Sequence, residues 1–542
     1  MGTSAEIRML YRLAHQRWSM GLFEAFFQDP NVTYLFNGRQ SWHECLSLWT
    51  DEGGHMDSSR PAEANRNLGQ NVAPPQLRAG ALNFASVLLQ AVTHIAPAIG
   101  IVLSLQFITS AAGLTSPLAY AIAFAIVLTL GLSLTQLARV FPSAGGYYTY
   151  VGRSIHPSAG FLTAWLYFLY DPLGAAANLA IMSFFLERTL GSAGHVYLPW
   201  WISFLILTAI ITFVMHRGIT VSAKAMATLT ISEIVIVVAL AAWSLLHAGN
   251  GGLNLSSFSP GSSPSPHGLY LGVVFCIFAF SGFESVAPLA EETQDPRRNL
   301  PRVIIWSIVL MGAFYLFCSW ALLIGWGTNS IQGFVQSTES PVFILARRLW
   351  GGAGILVLIA VFNSIIACSI ACSNASTRVF FSMGRSGALP RVLGKVHPRY
   401  RTPVNAVWFQ TILTIGIGLG LGLWIGPDQL FYFMGVTMTL GMVLVYSAGN
   451  LGVFRLYRSE RRSEFNWWLH GVFPFISTAA LISAAYESVV PLPPAPLKYA
   501  PCLVALWLVC GVVLVWILSR TGHQRWLLDG HLAYDPTIKK EI

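Results

Sequence analysis

The chain has 542 residues, of which 54% are hydrophobic and only 10% are charged, and its mean hydropathy is +0.58. A soluble protein of this length carries more charge, so the composition excludes an ordinary soluble enzyme or binding protein and favours one integral membrane domain. The net charge of +9 does not indicate a nucleic-acid partner, because the cations lie in short loops between apolar blocks.

The first 80 residues are polar and contain no apolar core of the kind that marks a signal peptide. Met56 begins a stretch typical of a cytoplasmic tail before a first membrane helix, so residues 1–55 are interpreted as an over-extended gene start or a dispensable extension. The sequence therefore predicts a cytoplasmic tail over 1–80, a membrane domain over 81–520 and a second cytoplasmic tail over 521–542.

Apolar blocks then recur, each about as long as an α-helix that crosses ~30 Å of hydrocarbon. Twelve spans are predicted, at residues 83–111, 117–140, 158–190, 197–216, 225–247, 267–290, 302–326, 352–382, 404–425, 429–453, 469–488 and 499–519. The loops after even-numbered spans, taken with the adjoining parts of the spans, hold 17 lysines and arginines, against 4 for the odd-numbered spans. By the positive-inside rule, the even loops and both termini are predicted to be cytoplasmic.

Two of these spans are interrupted near their middle. The first contains Pro97 and Gly100 within HIAPAIG, and the sixth contains Gly282 and Pro288 within FSGFESVAP. Proline removes a backbone donor and glycine loosens the chain, and the polar groups so exposed are tolerated in a membrane only where they line a cavity. Ordinary proline kinks are the alternative interpretation.

The two interruptions are five spans apart, which is the spacing that two inverted repeats of five helices would produce. The sequence thus predicts an all-α polytopic membrane protein with discontinuous helices 1 and 6. The first repeat would cover 81–250 and the inverted second repeat 265–455, followed by two accessory helices within 468–520.

Most of the seven cysteines lie in apolar spans, and no short-spaced Cys/His cluster suits zinc. Cys368 and Cys372 are four residues apart, on one face of a predicted helix, and are interpreted as small packing residues. No metal site and no cofactor are expected.

Several segments resemble the amino acid–polyamine–organocation transporter superfamily. The most specific, FSGFESVAPLAEETQDPRRNLPRVI at 280–304, resembles its sixth helix and following loop. PSAGGYY at 142–148, the STR, MGR and ALP triplets within 376–390, and YSAGNLGVFRLYRSERRSEFN at 446–466 agree with it. The resemblance runs from about Ala81 to Pro474 and implies the five-plus-five inverted-repeat fold with secondary active transport.

The resemblance implies an amino acid permease in the plasma (inner) membrane, with a small-molecule substrate and no enzymatic activity. Coupling to ATP is not expected, because no GxxxxGK[ST] motif occurs, so a proton in preference to sodium, or exchange, would drive transport. A transporter of ethanolamine, polyamines or other organic cations is the first alternative, and a non-transporting amino acid sensor is the second. The sequence leaves open whether the protein forms a homo-oligomer.

The opened first helix implies a site for the substrate's carboxylate, because its backbone N–H groups and partly positive helix end face the cavity. The residues predicted to form this site are Ala96, Pro97, Ala98, Ile99 and Gly100.

The sixth helix implies the complementary site for the ammonium group. Carbonyls at about Phe280 and Ser281 would bind it, Gly282 would permit the shape, and Phe280 and Phe283 would cover the substrate. Glu284 is predicted to face the cavity and to influence specificity. The alternative is that the glycines of both breaks serve packing.

Three further ionisable residues lie within predicted spans, where such groups are expensive and indicate function. Asp171 would bind an ammonium or carry a proton, or would instead help to accommodate Pro172. Glu233 lies near a position where some members of the resembled family carry a lysine, and is predicted to be the proton-coupling group or to be structural. His94 would relay protons or form a structural hydrogen bond.

Two more pairs of polar residues are singled out. Ser369 and Ser373 share a helix face and would offer hydroxyls to sodium or to Glu233, unless they bond to their own backbone. Glu291 and Glu292, followed by Asp295, Arg297 and Arg298, are predicted to form a wet, weakly stabilising cytoplasmic charge network near the inner gate.

Overall fold

The computed structural model describes residues 76–520 except 195, 196 and 250, and leaves the side chains of 192–194 undescribed. The proposed extension 1–55, most of the predicted N-terminal tail and the tail 521–542 lie outside the described residues. Within the described part, regular structure is helical apart from one isolated bridge between Leu82 and Thr293.

Seventeen α-helices are found in this part of the chain, and they are numbered in chain order. They are α1 (Phe84–Ile95), α2 (Leu105–Ala112), α3 (Ser116–Val140), α4 (Tyr147–Ser154), α5 (Pro157–Tyr167), α6 (Asp171–Gly194), α7 (Trp200–His216), α8 (Ile219–Leu246), α9 (Pro266–Ala279), α10 (Pro296–Trp326), α11 (Ile331–Val335), α12 (Pro341–Trp350), α13 (Ile355–Ser386), α14 (Val404–Ile425), α15 (Pro427–Ser459), α16 (Phe473–Glu487) and α17 (Ala500–Arg520).

The helices follow the predicted apolar blocks closely, and the all-α polytopic fold class is confirmed. Eleven helical stretches in the described residues are long and apolar enough to cross a membrane. The fourth predicted span corresponds to α7, an apolar helix of 17 residues that is shorter than those eleven. Twelve crossings and the inverted repeat therefore stay predictions.

The first predicted interruption lies at Ala96. Helix α1 ends at Ile95, and Ala96 adopts a left-handed conformation with φ of 56°, which is unusual for a residue with a Cβ. Pro97 follows, and the chain continues through a π-helical segment, Ile99–Leu103, into α2. A proline cannot continue the hydrogen-bond ladder, so the helix restarts at this point in a new direction.

The second predicted interruption lies between α9 and a 3₁₀ segment, Phe283–Glu292. Gly282 joins them with φ of 113°, a conformation that L-residues rarely adopt. Pro288 lies inside the 3₁₀ segment, where the missing N–H would interrupt an α-helical ladder.

A third interruption was not predicted. The third span divides into α5, which ends at Tyr167, and α6, which begins at Asp171, with three residues of turn between them. Pro172 occupies the first turn of α6, a position where proline is well tolerated. Asp171 therefore lies at a helix N-terminus rather than within a continuous helix.

The three interruptions meet around α13, which packs against α1, α6, α8 and the 3₁₀ segment. Large apolar side chains cover the outside of the bundle, as expected of a surface that faces lipid; examples are Phe213, Trp424 and Phe475, which are 58%, 81% and 75% exposed. Helix α17 is attached to α5 by two stacked indoles, Trp165 and Trp507, each donating to the other's backbone carbonyl at 2.8 and 2.7 Å.

Candidate functional site

Five buried side chains form a polar group where the interruptions meet, here called the central cluster: His94, Asp171, Glu284, Tyr167 and Tyr170. His94 Nε2 lies 3.1 Å from Asp171 Oδ1. The Tyr167 hydroxyl donates to Asp171 Oδ2, and the Tyr170 hydroxyl donates to Glu284 Oε1. Asp171 and Glu284 are only 1% and 3% exposed, so both carboxylates are removed from bulk water.

The breaks themselves bring the members of the central cluster together. His94 belongs to the last turn of α1, Asp171 begins α6, and Glu284 follows the second break by two residues. A Cβ placed on Gly282 would lie 2.8 Å from the His94 ring, so only glycine permits this approach.

The backbone of the first break is less open than the sequence predicted. The Ala98 N–H donates to Glu233 Oε2 at 3.3 Å, and the Gly100 N–H donates to Ala96 O at 3.0 Å. Pro97 has no N–H. The predicted carboxylate site at 96–100 is therefore partly filled, in this conformation, by a carboxylate of the protein itself.

The second break is closed in the same manner. The Gly282 N–H donates to Glu284 Oε2 at 3.0 Å, and the Ser281 hydroxyl donates to Phe278 O at 2.8 Å. Phe280 packs on Phe124 and, edge to face, on Tyr315, whereas Phe283 packs on Tyr446. Both phenylalanines are buried, and their role as a cover over the substrate stays a prediction.

Glu233 lies at the first break, as the hypothesis of proton coupling requires. Its Oε1 is buried and makes no hydrogen bond of normal geometry among the described residues, although the Ser364 hydroxyl lies close to this carboxylate. The two predicted serines do not provide one: Ser369 donates to Ile365 O in its own helix at 2.8 Å, and Ser373 borders a separate cavity with Gln410 and Thr411. The role of these serines in ion binding stays a prediction.

Cys368 and Cys372, interpreted from the sequence as packing residues, instead border the central cluster. Cys372 Sγ lies 3.3 Å from His94 Nε2, and Cys368 Sγ lies 3.4 Å from His94 O. The sequence could not reveal this grouping, because α1 and α13 are almost 280 residues apart along the chain.

Tyr167 and Tyr170 were also missed. The sequence did contain a signal for Tyr167. It precedes Asp171 by four residues, and residues four apart on a predicted helix are neighbours. Only the tertiary structure connects Tyr170 to Glu284, which lies 114 residues further along the chain.

A second polar group lies at the end of the 3₁₀ segment and is here called the charge network: Glu291, Glu292, Arg378 and Arg385. Arg378 binds Glu292 through Nε and Nη2 at 2.8 and 3.3 Å. Arg385 binds Glu291 at 2.6 and 3.0 Å. The prediction of a wet network is wrong for the first pair, because Glu292 and Arg378 are 0% and 1% exposed and hence fully desolvated.

The charge network joins segments that the sequence singled out separately. The Ala144 N–H, in the PSAGG loop, donates to Glu291 Oε1 at 3.2 Å. Leu82 N donates to Glu292 O at 2.9 Å, which ties the start of the described chain to the same place. This end of the bundle is therefore closed by contacts among three otherwise separate segments.

A small cavity borders the central cluster. Among its lining residues are Gly145, Tyr148, Pro288, Asp171 and Glu284. Three members of the central cluster therefore border this space: Tyr167, Asp171 and Glu284.

The electrostatics of the central region favour a cation. Asp171, Glu284 and Glu233 bring three carboxylates near the breaks, and His94 is the side chain that balances Asp171. Buried carboxylates are costly unless a cation or a proton compensates them. An ammonium group would provide that compensation.

The chain is similar to known membrane transporters over more than half of its length. The family model described as "Amino acid permease" matches residues 86–526. The chain is 26% identical over 310 residues to the "Low-affinity putrescine importer PlaP" of Escherichia coli K12, covering 56% of this chain and 66% of that protein, just under two thirds of its length.

Two further relatives have alignments of greater length. The "Branched-chain amino acid permease BcaP" of Bacillus subtilis is 26% identical over 355 residues, covering 62% of this chain and 73% of that protein. The "Probable GABA permease" of Pseudomonas aeruginosa is 26% identical over 405 residues, covering 69% and 78%.

The family match extends over most of the chain and includes every span around the central cluster. The family and these relatives are membrane transporters and not enzymes. With eleven candidate spans in the described residues, the chain is a multi-pass membrane protein and belongs to the amino acid permease family.

Proposed function

We propose that the protein is a secondary active transporter that moves an amino acid across the plasma membrane by alternating access. The ammonium group of the substrate would lie at the central cluster, between Asp171 and Glu284. The observation that carries this proposal is the pair of buried carboxylates, Asp171 with an imidazole 3.1 Å away, and the small cavity that both carboxylates border.

His94 takes the place of the ammonium group while the site is empty. Its Nε2 atom is 3.1 Å from Asp171, a distance suited to an ion pair. An incoming ammonium would compete for the same carboxylate. The tyrosine hydroxyls hold both carboxylates in fixed orientations, which lowers the entropic cost of binding.

Glu233 is proposed to couple proton movement to transport. Its carboxylate accepts from Ala98, the residue next to the proline of the first break, so a change in its charge acts directly on the conformation of that break. The Glu233 carboxylate is fully buried and no cation is paired with it in the described residues, so its charge is costly and a proton would relieve that cost. A proton in preference to sodium therefore drives uptake, or exchange occurs without either.

The charge network is proposed to be the closed inner gate, with both termini on the cytoplasmic side. Alternating access would require the Glu291–Arg385 pair to separate, since it ties the PSAGG loop to α13. That pair is suited to opening because Arg385 is 27% exposed, whereas Glu292 and Arg378 form the buried part.

A second candidate function is transport of an amine that has no carboxylate, such as a diamine. One observation favours it: at each break a backbone N–H already donates to a carboxylate of the protein, Glu233 at the first and Glu284 at the second. A substrate without a carboxylate would leave both hydrogen bonds intact. The similarity to the putrescine importer points in the same direction.

Uptake into proteoliposomes tests both candidates. Labelled amino acids, ethanolamine and putrescine are offered separately to the full-length protein, with a pH gradient, a sodium gradient or neither. Accumulation of an amino acid driven by the pH gradient supports the first candidate, and accumulation of amines alone supports the second. Folded protein that moves none of these solutes would contradict both and favour a sensor.

A further inference from the structure

We propose that His94, Asp171 and Cys372 form a binding site for one soft divalent metal ion, such as Zn²⁺, with Cys368 completing the coordination. The inference extends the proposed function, because the ion would occupy the place proposed for the substrate's ammonium group.

The donor atoms are already assembled. One ligand atom from each of His94, Asp171 and Cys372 lies within 4.8 Å of the others, and all three residues are buried. Cys368 Sγ lies 4.0 Å from Cys372 Sγ, one turn away on α13. Three separate helices thus contribute imidazole, carboxylate and thiol groups to one small volume.

The spacing fits tetrahedral coordination. Metal–ligand distances of about 2.3 Å for sulfur and about 2.0–2.1 Å for nitrogen and oxygen give tetrahedral edges of roughly 3.4 Å for N···O, 3.6 Å for N···S and 3.8 Å for S···S. The corresponding distances are 3.1 Å from His94 to Asp171, 3.3 Å from His94 to Cys372 and 4.0 Å between the two sulfur atoms. Shifts of a few tenths of an ångström would bring these three pairs to the ideal distances, whereas Cys368, which is not among the mutually close ligand atoms, would have to move further to complete the coordination.

The chemistry of the donors selects the class of metal. Thiolate and imidazole ligands favour Zn²⁺ and similar soft or borderline ions over Mg²⁺ and Ca²⁺, which prefer oxygen. Of the three mutually close donor atoms only one, from Asp171, is an oxygen, whereas a hard cation binds mainly oxygen ligands. Sodium, potassium and magnesium are therefore not expected to compete.

Surrounding groups hold two of the ligands in place. The Tyr167 hydroxyl donates to Asp171 Oδ2, leaving Oδ1 directed at His94, and Asn178 Nδ2 lies 3.4 Å from Cys368 Sγ. Such outer hydrogen bonds orient metal ligands. His94 Nδ1 has no such partner among the described residues, so binding should be reversible and weaker than in a structural zinc site.

The direct test is titration of the purified full-length protein in detergent with Cd²⁺, followed by the ultraviolet absorption of the metal–thiolate bond. We expect a band that saturates at one ion per chain and disappears when Zn²⁺ is added in excess. The band should be lost in Cys372→Ser. In Cys368→Ser the apparent affinity for Cd²⁺ should fall about tenfold or more.

Cys276→Ser is the matched control, since Cys276 is also buried in a span but lies outside the cluster. It should keep the band. A band of equal strength in wild type and Cys372→Ser would place the ion at other cysteines and overturn the proposal, as would the absence of any band in wild type.

X-ray absorption of the zinc-loaded wild type tests the site without a variant, which matters if Cys372→Ser does not fold. At least one sulfur neighbour together with nitrogen or oxygen neighbours is expected, and coordination by nitrogen and oxygen alone would contradict the proposal. Zn²⁺ should also inhibit uptake competitively. If metal binds but uptake is never observed with any solute, the proposed function fails while the metal site stands.

Discussion

The charge network and the central cluster both bury carboxylates, but they compensate them differently. In the charge network, Glu291 and Glu292 each meet an arginine through two hydrogen bonds. In the central cluster, Asp171 pairs with a histidine, whose charge depends on a proton, and Glu284 accepts from a tyrosine and a backbone N–H. The first arrangement is permanently neutralised, and the second is not.

This difference suits the charge network to stabilising the fold and the central cluster to binding a cation. An arginine–carboxylate pair keeps its charge at any pH that a cell meets, so it suits a contact that must hold segments together. A carboxylate balanced only by histidine, tyrosine and amide groups can accept an ammonium, a proton or a metal ion. Variants in the two regions should therefore lose different properties: stability in the charge network and transport in the central cluster.

The largest effect is expected from Arg378→Ala. It removes one partner of a fully buried pair and leaves Glu292 uncompensated, so the free energy of unfolding should fall by about 3–5 kcal/mol. Thermal unfolding of the detergent-purified protein measures it. Arg347→Ala is the control, because its pair with Glu339 is exposed and should change stability by less than about 1 kcal/mol. Equal losses of stability in the two variants would show that the buried pair contributes no more than an exposed one.

Asp171→Asn should abolish most transport while the protein stays folded. Losing a charged hydrogen bond to an ammonium costs about 1.5–3 kcal/mol, or roughly ten- to a hundredfold in affinity. Uptake into proteoliposomes with matched protein content measures the loss. Glu187→Gln, on the same helix α6 and outside the central cluster, should transport normally. Wild-type uptake by Asp171→Asn would show that the ammonium lies elsewhere.

Gly282→Ala should reduce uptake through the shape of the second break. The added Cβ would meet His94 at 2.8 Å, and φ of 113° is strained for alanine, at a cost of about 1–3 kcal/mol. Uptake and thermal unfolding are measured together. Gly416→Ala is the matched control, because nothing lies within 4 Å of its added Cβ. Normal transport by Gly282→Ala would mean that this close approach is dispensable.

Glu233→Gln should change the coupling more than the binding. The amide oxygen can still accept from the Ala98 N–H, so exchange of labelled for unlabelled substrate should continue. Accumulation driven by an inward proton gradient should be lost, because glutamine cannot take up the proton. Counterflow and gradient-driven uptake are compared in one preparation. An unchanged pH dependence would exclude Glu233 as the coupling group.

The smallest effect is expected from deleting residues 1–55. The family match begins at residue 86, and the first described contact to the charge network involves Leu82. Uptake by a chain that starts at Met56 should equal that of the full-length protein. Abolished transport would show that the extension is required, and loss of a signalling output with uptake intact would favour the sensor.

The helices were predictable because their cause is local. A block of apolar residues long enough for the membrane identifies a span, and Pro97 and Gly282 mark backbone that cannot continue as a regular α-helix. The break before Asp171 was missed because Pro172 also fits the first turn of a new helix, and the sequence does not distinguish that from a kink.

The composition of the site was less predictable, because its contacts join distant parts of the chain. Asp171, His94 and Glu284 were recognisable as ionisable residues within apolar spans, but their partners were not. Cys372 and Tyr170 have ordinary packing or interfacial roles in most membrane helices, and only the folded chain brings them to His94 and Glu284. Arg378, in the STR triplet, was counted among the cations that mark the cytoplasmic side, and the sequence did not show that it is fully buried.

Competition for uptake tests the recognition of an ammonium group most directly. Proteoliposomes take up a labelled amino acid in the presence of its unlabelled form, of the corresponding amine without the carboxylate, or of the corresponding 2-hydroxy acid without the ammonium. Binding at Asp171 and Glu284 predicts inhibition by the amino acid and the amine, and little inhibition by the hydroxy acid. Strong inhibition by the hydroxy acid and none by the amine would contradict ammonium recognition at the central cluster.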